Sequence, residues 1–219
     1  MADGTRRYDD PCGIARALDA VGERWALLVV RELVFSAKRF SDLRRGLGTV
    51  SPNVLSQRLD QLEQEGIVRR RVAGPPIGTS VYELTPSGRE LLPVLDALAR
   101  WGSRRPVRSE RPLSRDALML ALQTTVRADA VVPAGLRVTL DGSSWDPVVG
   151  DGRVQWRPPA DAEPAATLET SSAALHRMAF RGIGVDEAIE TGEAVVGGDP
   201  ALVARFLGAF ERPGPRPTL

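Results

Sequence analysis

The side chains best suited to chemistry in this 219-residue chain form hydrogen bonds rather than break covalent ones. Asn53, Ser56, Gln57, Asp60, Gln61 and Gln64, with Arg58 at their flank, fall on the side of a helical wheel turned away from Leu55, Leu59 and Leu62. Asn and Gln amides can pair with the two polar atoms on the major-groove edge of adenine, and an Arg guanidinium with those of guanine. Ser51 and Pro52 head the stretch as a cap and first-position pair, so Ser51 and Asn53 stand where a helix start would meet a groove. Downstream, Arg69, Arg70 and Arg71 run along a candidate strand in reach of phosphates, with Thr79 at the end of the following loop.

Catalytic chemistry has far less to work with. Cys12 is the only cysteine and His176 the only histidine, which argues against an internal disulfide, a zinc cluster and any metal site. There is no Gly-x-Ser-x-Gly elbow, phosphate loop or dinucleotide fingerprint. The expectation is a protein that is not an enzyme and carries no cofactor, with His176 on a helix facing a sheet. Charge is uneven. Residues 1–105 hold 17 Lys+Arg against 13 Asp+Glu, a net +4, and residues 106–219 hold 12 against 15, a net −3. The front half is the one suited to a polyanion. No apolar run of about 18 residues occurs, so no membrane span is expected. The first residues lack the apolar stretch of a signal peptide, which points to the cytoplasm.

The elements that must position the polar helix follow from the pattern around it. Ile14, Leu18 and Val21 recur at helical spacing, and Trp25 to Val30 is apolar all round, as in a buried central helix. Phe40-Ser41-Asp42-Leu43 opens a short helix that stops near Gly46 and Gly48, and the helix capped by Ser51 ends at Gly66. Strands at 67–72 and 80–84 flank the Gly/Pro loop 73–79. Thr85-Pro86 then starts a long helix reaching Trp101. This order predicts a winged helix-turn-helix, whose second helix lies in the major groove. The last helix carries Leu91, Leu95 and Leu98 on one face, with Val94 and Trp101 turned away. Val94, Leu98 and Trp101, joined by Ile14 and Leu18, are therefore expected to pack on a second copy.

The back half alternates at period two in Leu136-Val138-Leu140, Trp145-Pro147-Val149, Val154-Trp156 and Ala166-Leu168, with Asp-Gly turns at 141–142 and 151–152. That reads as an antiparallel sheet with one covered face, and helices near 171–181, 185–191 and 199–210 would cover it. The fold class is α+β. The domains are 1–102, a Pro-containing polar linker at 103–113, a second domain at 114–212, and a tail at 213–219.

Five segments resemble regulators of the HxlR type, over about residues 12–102: Cys12 to Trp25, Arg39-Phe40-Ser41-Asp42-Leu43, Leu55-Ser56-Gln57-Arg58-Leu59 with Leu62-Glu63, Gly66 to Arg70, and Tyr82 to Leu91. The resemblance implies a dimeric winged-helix transcription factor on a double-stranded DNA operator. It also places Cys12 where some such regulators carry a redox-sensing cysteine. A helix start favours the thiolate that sensing needs, and a small side chain packed at a helix start is the other reading. The wing departs from the family pattern, since Pro75-Pro76-Ile77-Gly78-Thr79 lacks the arginine often found at its tip.

The segments Leu136 to Gly142, Asp151 to Val154, Ala166 to Thr170 and Gly192 to Asp199 resemble the sterol-carrier-protein-2-like fold. That resemblance implies an apolar cavity, for which Leu122, Leu140, Trp145, Trp156, Leu175, His176, Phe180 and Phe206 are the candidate lining. Plain core packing is the alternative for the two tryptophans. The expected function is a DNA-binding regulator, a repressor, whose operator binding responds to a small hydrophobic or aromatic effector. Two alternatives stand beside it. One is a carrier of lipids or other hydrophobic molecules whose winged-helix half binds proteins. The other is a redox-responsive regulator using Cys12.

Overall fold

A computed structural model describes residues 7–72, 80–106, 109 and 111–211. The chain divides into two compact units, Met1–Leu95 and Asp96–Leu219. The boundary falls inside a helix that ends just before the stretch read as a linker.

The first unit runs α1 (Gly13–Val21), α2 (Ala26–Glu32), α3 (Phe40–Leu47), α4 (Pro52–Gln64), β1 (Val68–Val72), β2 (Ser80–Leu84) and α5 (Pro86–Arg89), and enters α6 (Leu92–Gly102). Val29, Val30, Leu33, Leu43, Leu55, Leu59 and Leu62 form its core. The Ser51 hydroxyl accepts the Val54 N–H at 3.3 Å, with Pro52 in the first turn where no N–H is missed. At the other end Gly66 takes φ +67°, which lets the Ile67 N–H reach back to the Leu62 carbonyl at 2.9 Å and turns the chain into β1. β1 and β2 pair antiparallel with Val68 opposite Leu84 and Arg70 opposite Tyr82.

The first unit and the helix that leaves it differ from expectation in two places. The helix predicted from Thr85 to Trp101 is two helices, broken at Glu90 and Leu91. Pro93 explains the break: a continuous helix would set its ring against the Arg89 carbonyl, whereas in the first turn of α6 it is harmless. The segment read as a buried helix is also not buried on every side, because Leu28 is exposed.

The second unit comprises the last turns of α6, α7 (Arg115–Thr124), β3 (Leu136–Leu140), β4 (Ser143–Gly150), β5 (Arg153–Arg157), β6 (Ala166–Thr170), α8 (Ser172–Phe180), α9 (Val185–Glu190), β7 (Ala194–Gly198) and α10 (Pro200–Leu207). Ser114, Ser171 and Asp199 cap α7, α8 and α10 through their side-chain oxygens. The five strands lie in the order β5-β4-β3-β6-β7. The sheet is mixed, which corrects the antiparallel expectation: β3 and β6 run parallel, with Val138 beside Leu168. Strands β3, β4 and β5 do form the expected hairpins. Asp141, Gly142, Asp151 and Gly152 all take positive φ, between 48° and 78°, as two-residue turns of this hand require. The chain then returns through residues 158–165 and enters β6 in the direction of β3. Period-two alternation reports which face is covered and carries no information on strand direction. The inward face, as expected, holds Leu136, Val138, Leu140, Trp145, Val149, Val154, Ala166 and Leu168. Among the described residues no helix is long and apolar enough to cross a membrane.

Candidate nucleic-acid interface

The leucine stripe of α4 is buried, and this fixes which side of the helix meets solvent. Asn53, Ser56, Gln57, Asp60 and Gln64 are exposed along that side, and Ser51 is exposed at the cap before it. The turn before α4 is anchored by Leu47 and Val50, both buried, and closed by Gly48 at φ +75°. The start of α4 is thus held out at the end of a rigid corner, as a helix that enters a groove requires.

Two residues read as outward-facing are not. Arg58 is 6% exposed, and its guanidinium turns to α1 rather than outward. It donates to the Gln61 amide oxygen and pairs with the Glu23 carboxylate at 3.3 Å, in the turn between α1 and α2. Gln61 is half-buried and donates to the Asp19 carbonyl at 3.4 Å. Arg58 is therefore not placed to read bases, contrary to the expectation from its helical position. Its wheel position lies beside the leucine stripe, and only the carboxylate on another element decided where a long cation at that edge would go.

On β1, Arg69, Arg70 and Arg71 are all exposed, but they are not equivalent. Arg69 and Arg71 lie on one face and share Glu83, at 2.8 and 3.0 Å. Those bonds hold the Glu83 carboxyl below the usual range, with the Arg71 hydrogen bond as the largest cause. Arg70 lies on the other face with its guanidinium 6.0 Å from the Tyr82 ring. Thr79 and the wing tip lie outside the described residues. Reading the sequence missed Arg39, Arg44 and Arg45, which are exposed at the two ends of α3. The pair in the last turn of the first of two adjacent helices was the available signal.

A buried ion cluster braces this surface from behind. Glu32, fully buried, accepts Lys38 Nζ at 2.9 Å and Arg31 at 2.8 Å. The Lys38 backbone pairs with Tyr82 in both directions, at 2.9 and 2.8 Å, so the same residue ties β2 to α2. Gly46 passes so close that a Cβ there would sit 2.2 Å from the Glu32 carboxylate.

The candidate contact residues for a second copy are exposed. Ile14 and Trp101 stand out most, at 73% and 57%, and Leu18, Val94 and Leu98 join them. Cys12 is an exposed free thiol at the start of α1, where the Ile14 and Ala15 N–H groups pull its pKa down. In the second unit the candidate lining residues are buried to different degrees, with Trp156, His176 and Phe180 part-exposed. Leu122, Leu140, Leu175 and Phe206 are fully buried, and Trp145 nearly so. Phe206 meets Trp156 and Phe210 edge-to-face, at 6.1 and 5.1 Å. His176 is half-buried, 5.5 Å from the Phe180 ring, and burial lowers its pKa, with Arg181 and Arg177 adding to the effect.

An HxlR-like helix-turn-helix family model matches residues 20–110. An uncharacterized HTH-type transcriptional regulator of Mycobacterium tuberculosis is 37% identical over 112 residues, which are 51% of this chain and 70% of the relative. The chain belongs to the HxlR family. The uncharacterized HTH-type transcriptional regulator YvaP of Bacillus subtilis is 36% identical to this HxlR-family chain over 88 residues, 40% of it and 82% of YvaP. Among solved structures, the reduced form of the transcriptional regulator YodB from B. subtilis covers 46% of the chain and 100% of its own, at 27% identity and a TM-score of 0.40. The family match holds α2 to α6 and ends at residue 110, ahead of the mixed-sheet part of this HxlR-family protein.

Proposed function

We propose that this HxlR-type transcriptional regulator binds a two-fold operator as a homodimer and represses from it, with α4 in the major groove. The observation that carries the reading is the row of exposed amide and hydroxyl side chains on α4, set on a buried leucine stripe behind a capped first turn. Asn53, Ser56 and Gln57 read base edges. Ser51, Arg69, Arg70, Arg71, Arg39, Arg44 and Arg45 hold phosphates, which position the helix without carrying sequence information. A dimer with both α4 helices about one DNA turn apart calls for a two-fold site. Ile14, Leu18, Val94, Leu98 and Trp101 are exposed apolar side chains available for such pairing.

The second unit supplies effector control. A small hydrophobic or aromatic molecule, held against the sheet near Trp145, Trp156 and Phe206, weakens operator binding. The aromatic cluster there and the sterol-carrier-like segments support this reading. Selection of bound genomic DNA by the whole protein tests the first part. Recovered sites with two-fold symmetry are expected, and equal affinity for recovered and random DNA overturns the reading. Titration of hydrophobic metabolites, followed by tryptophan emission and operator affinity together, tests the second. Control through Cys12 is a competing reading, favoured by its exposure and lowered pKa. Under it, oxidants change operator affinity, and the Cys12→Ser variant abolishes the response.

A further inference from the structure

We propose that Arg58 is a positioning residue for DNA recognition: it clamps the base-reading helix α4 to the α1–α2 turn through Glu23 and never touches DNA. The inference rests on the operator reading above but makes a separate claim about what holds α4 in place.

Arg58 sits on the DNA-reading helix, yet its side chain is almost wholly buried and both of its terminal nitrogens are taken up by partners within the protein. One donates to Gln61, one turn along α4, and the other reaches the Glu23 carboxylate on the α1–α2 turn. Gln61 extends the clamp by donating to the Asp19 carbonyl near the end of α1. The turn that receives it is itself held in an uncommon conformation. Trp25 takes φ +81°, a region that bulky side chains rarely enter, with the Arg24 guanidinium over its ring at 5.2 Å. Such a conformation persists only where its surroundings over-determine it. The clamp joins that turn to α4 across 35 residues of sequence. Side chains that read bases must arrive within a fraction of an ångström of the groove edge. A loss of rigidity at the back of α4 therefore costs recognition before it costs attraction to phosphate.

The variant Glu23→Gln separates this from simple electrostatics, because the two predict opposite signs. Glu23 is half-exposed on a different element, and removing its negative charge should strengthen attraction to any polyanion. If Arg58 is a clamp, operator affinity falls several-fold while affinity for random DNA is unchanged or tighter, and Glu23→Asp restores part of the loss. Hydrogen exchange of the free protein should show faster exchange along residues 54–62 in Glu23→Gln, at an unchanged melting temperature. Arg58→Gln provides the second arm. Loss of a phosphate ligand would lower the salt slope on random DNA by about 0.9 for each phosphate released, and loss of a clamp leaves it unchanged. Unchanged exchange in Glu23→Gln, or a lowered slope in Arg58→Gln, overturns the proposal. If the wild-type protein prefers no DNA sequence, the operator reading falls, and the exchange measurement still decides whether the clamp exists.

Discussion

Glu83 accepts hydrogen bonds from both Arg69 and Arg71, at 2.8 and 3.0 Å, so one carboxylate offsets half of the positive charge on that face of β1. A phosphate approaching those arginines competes with a partner already in place. Glu83→Gln should tighten binding to random DNA and steepen its salt dependence, by about 0.9 for each further phosphate that the released arginines neutralise. An unchanged slope would mean that Arg69 and Arg71 stay on the wing strand when DNA is bound. The Glu83 pKa is depressed, so lowering the pH within the neutral to mildly acidic range should not mimic the variant.

Gln57 lies on the exposed row of α4, one residue before the buried Arg58. Gln57→Ala should alter the preference at one position in each half-site by roughly 1–3 kcal/mol. Arg70→Ala should instead weaken all sequences alike. Quantitative binding to a panel of singly substituted operators distinguishes the two patterns.

Leu98 and Trp101 are exposed apolar side chains on α6. The double variant Leu98→Asp, Trp101→Asp should give monomers at micromolar concentration by light scattering, with operator binding lost. A dimer that survives both substitutions places the pairing surface elsewhere.

Gly46 owes its identity to Glu32 rather than to its backbone angles. Gly46→Ala would force a methyl group into the buried carboxylate and should destabilise the first unit by about 1–3 kcal/mol, the usual cost of overpacking. Denaturant unfolding reads this directly, and a smaller loss would show that α3 can shift away.

His176 has its pKa lowered mainly by burial. The folded state therefore binds its proton less readily than the unfolded chain does. The resulting stability is fully present above the ordinary value of about 6.5 and is lost as the pH falls below it. Thermal unfolding between pH 8 and pH 5 should show this decline, and His176→Gln should flatten it.

The helix that carries the interface was legible because each of its signals is local. Ser51 and Pro52 start it, the leucines set its buried side, and Gly66 ends it. What could not be read depended on partners distant in sequence. Arg58 has the same type and spacing whether it faces a groove or a carboxylate, and Glu23 decides between them from another element. The direction of β6 was hidden for a similar reason, since alternation is identical in parallel and antiparallel neighbours. The break before α6 was legible in principle at Pro93, but the apolar residues on either side of it kept a helical spacing. A fifth strand, β7, also went unread, because its short Ala-Val-Val-Gly-Gly segment takes its form from pairing with β6.

Lys38 is the only lysine in the chain, and its amine is held on Glu32 while its backbone bridges to Tyr82. The protein thus contains a single ε-amine, placed where α2 meets the wing strand. Reagents that acylate lysine can reach it only when that junction opens, so the rate of modification at this one site is a clock for how often the brace behind the DNA-reading surface lets go.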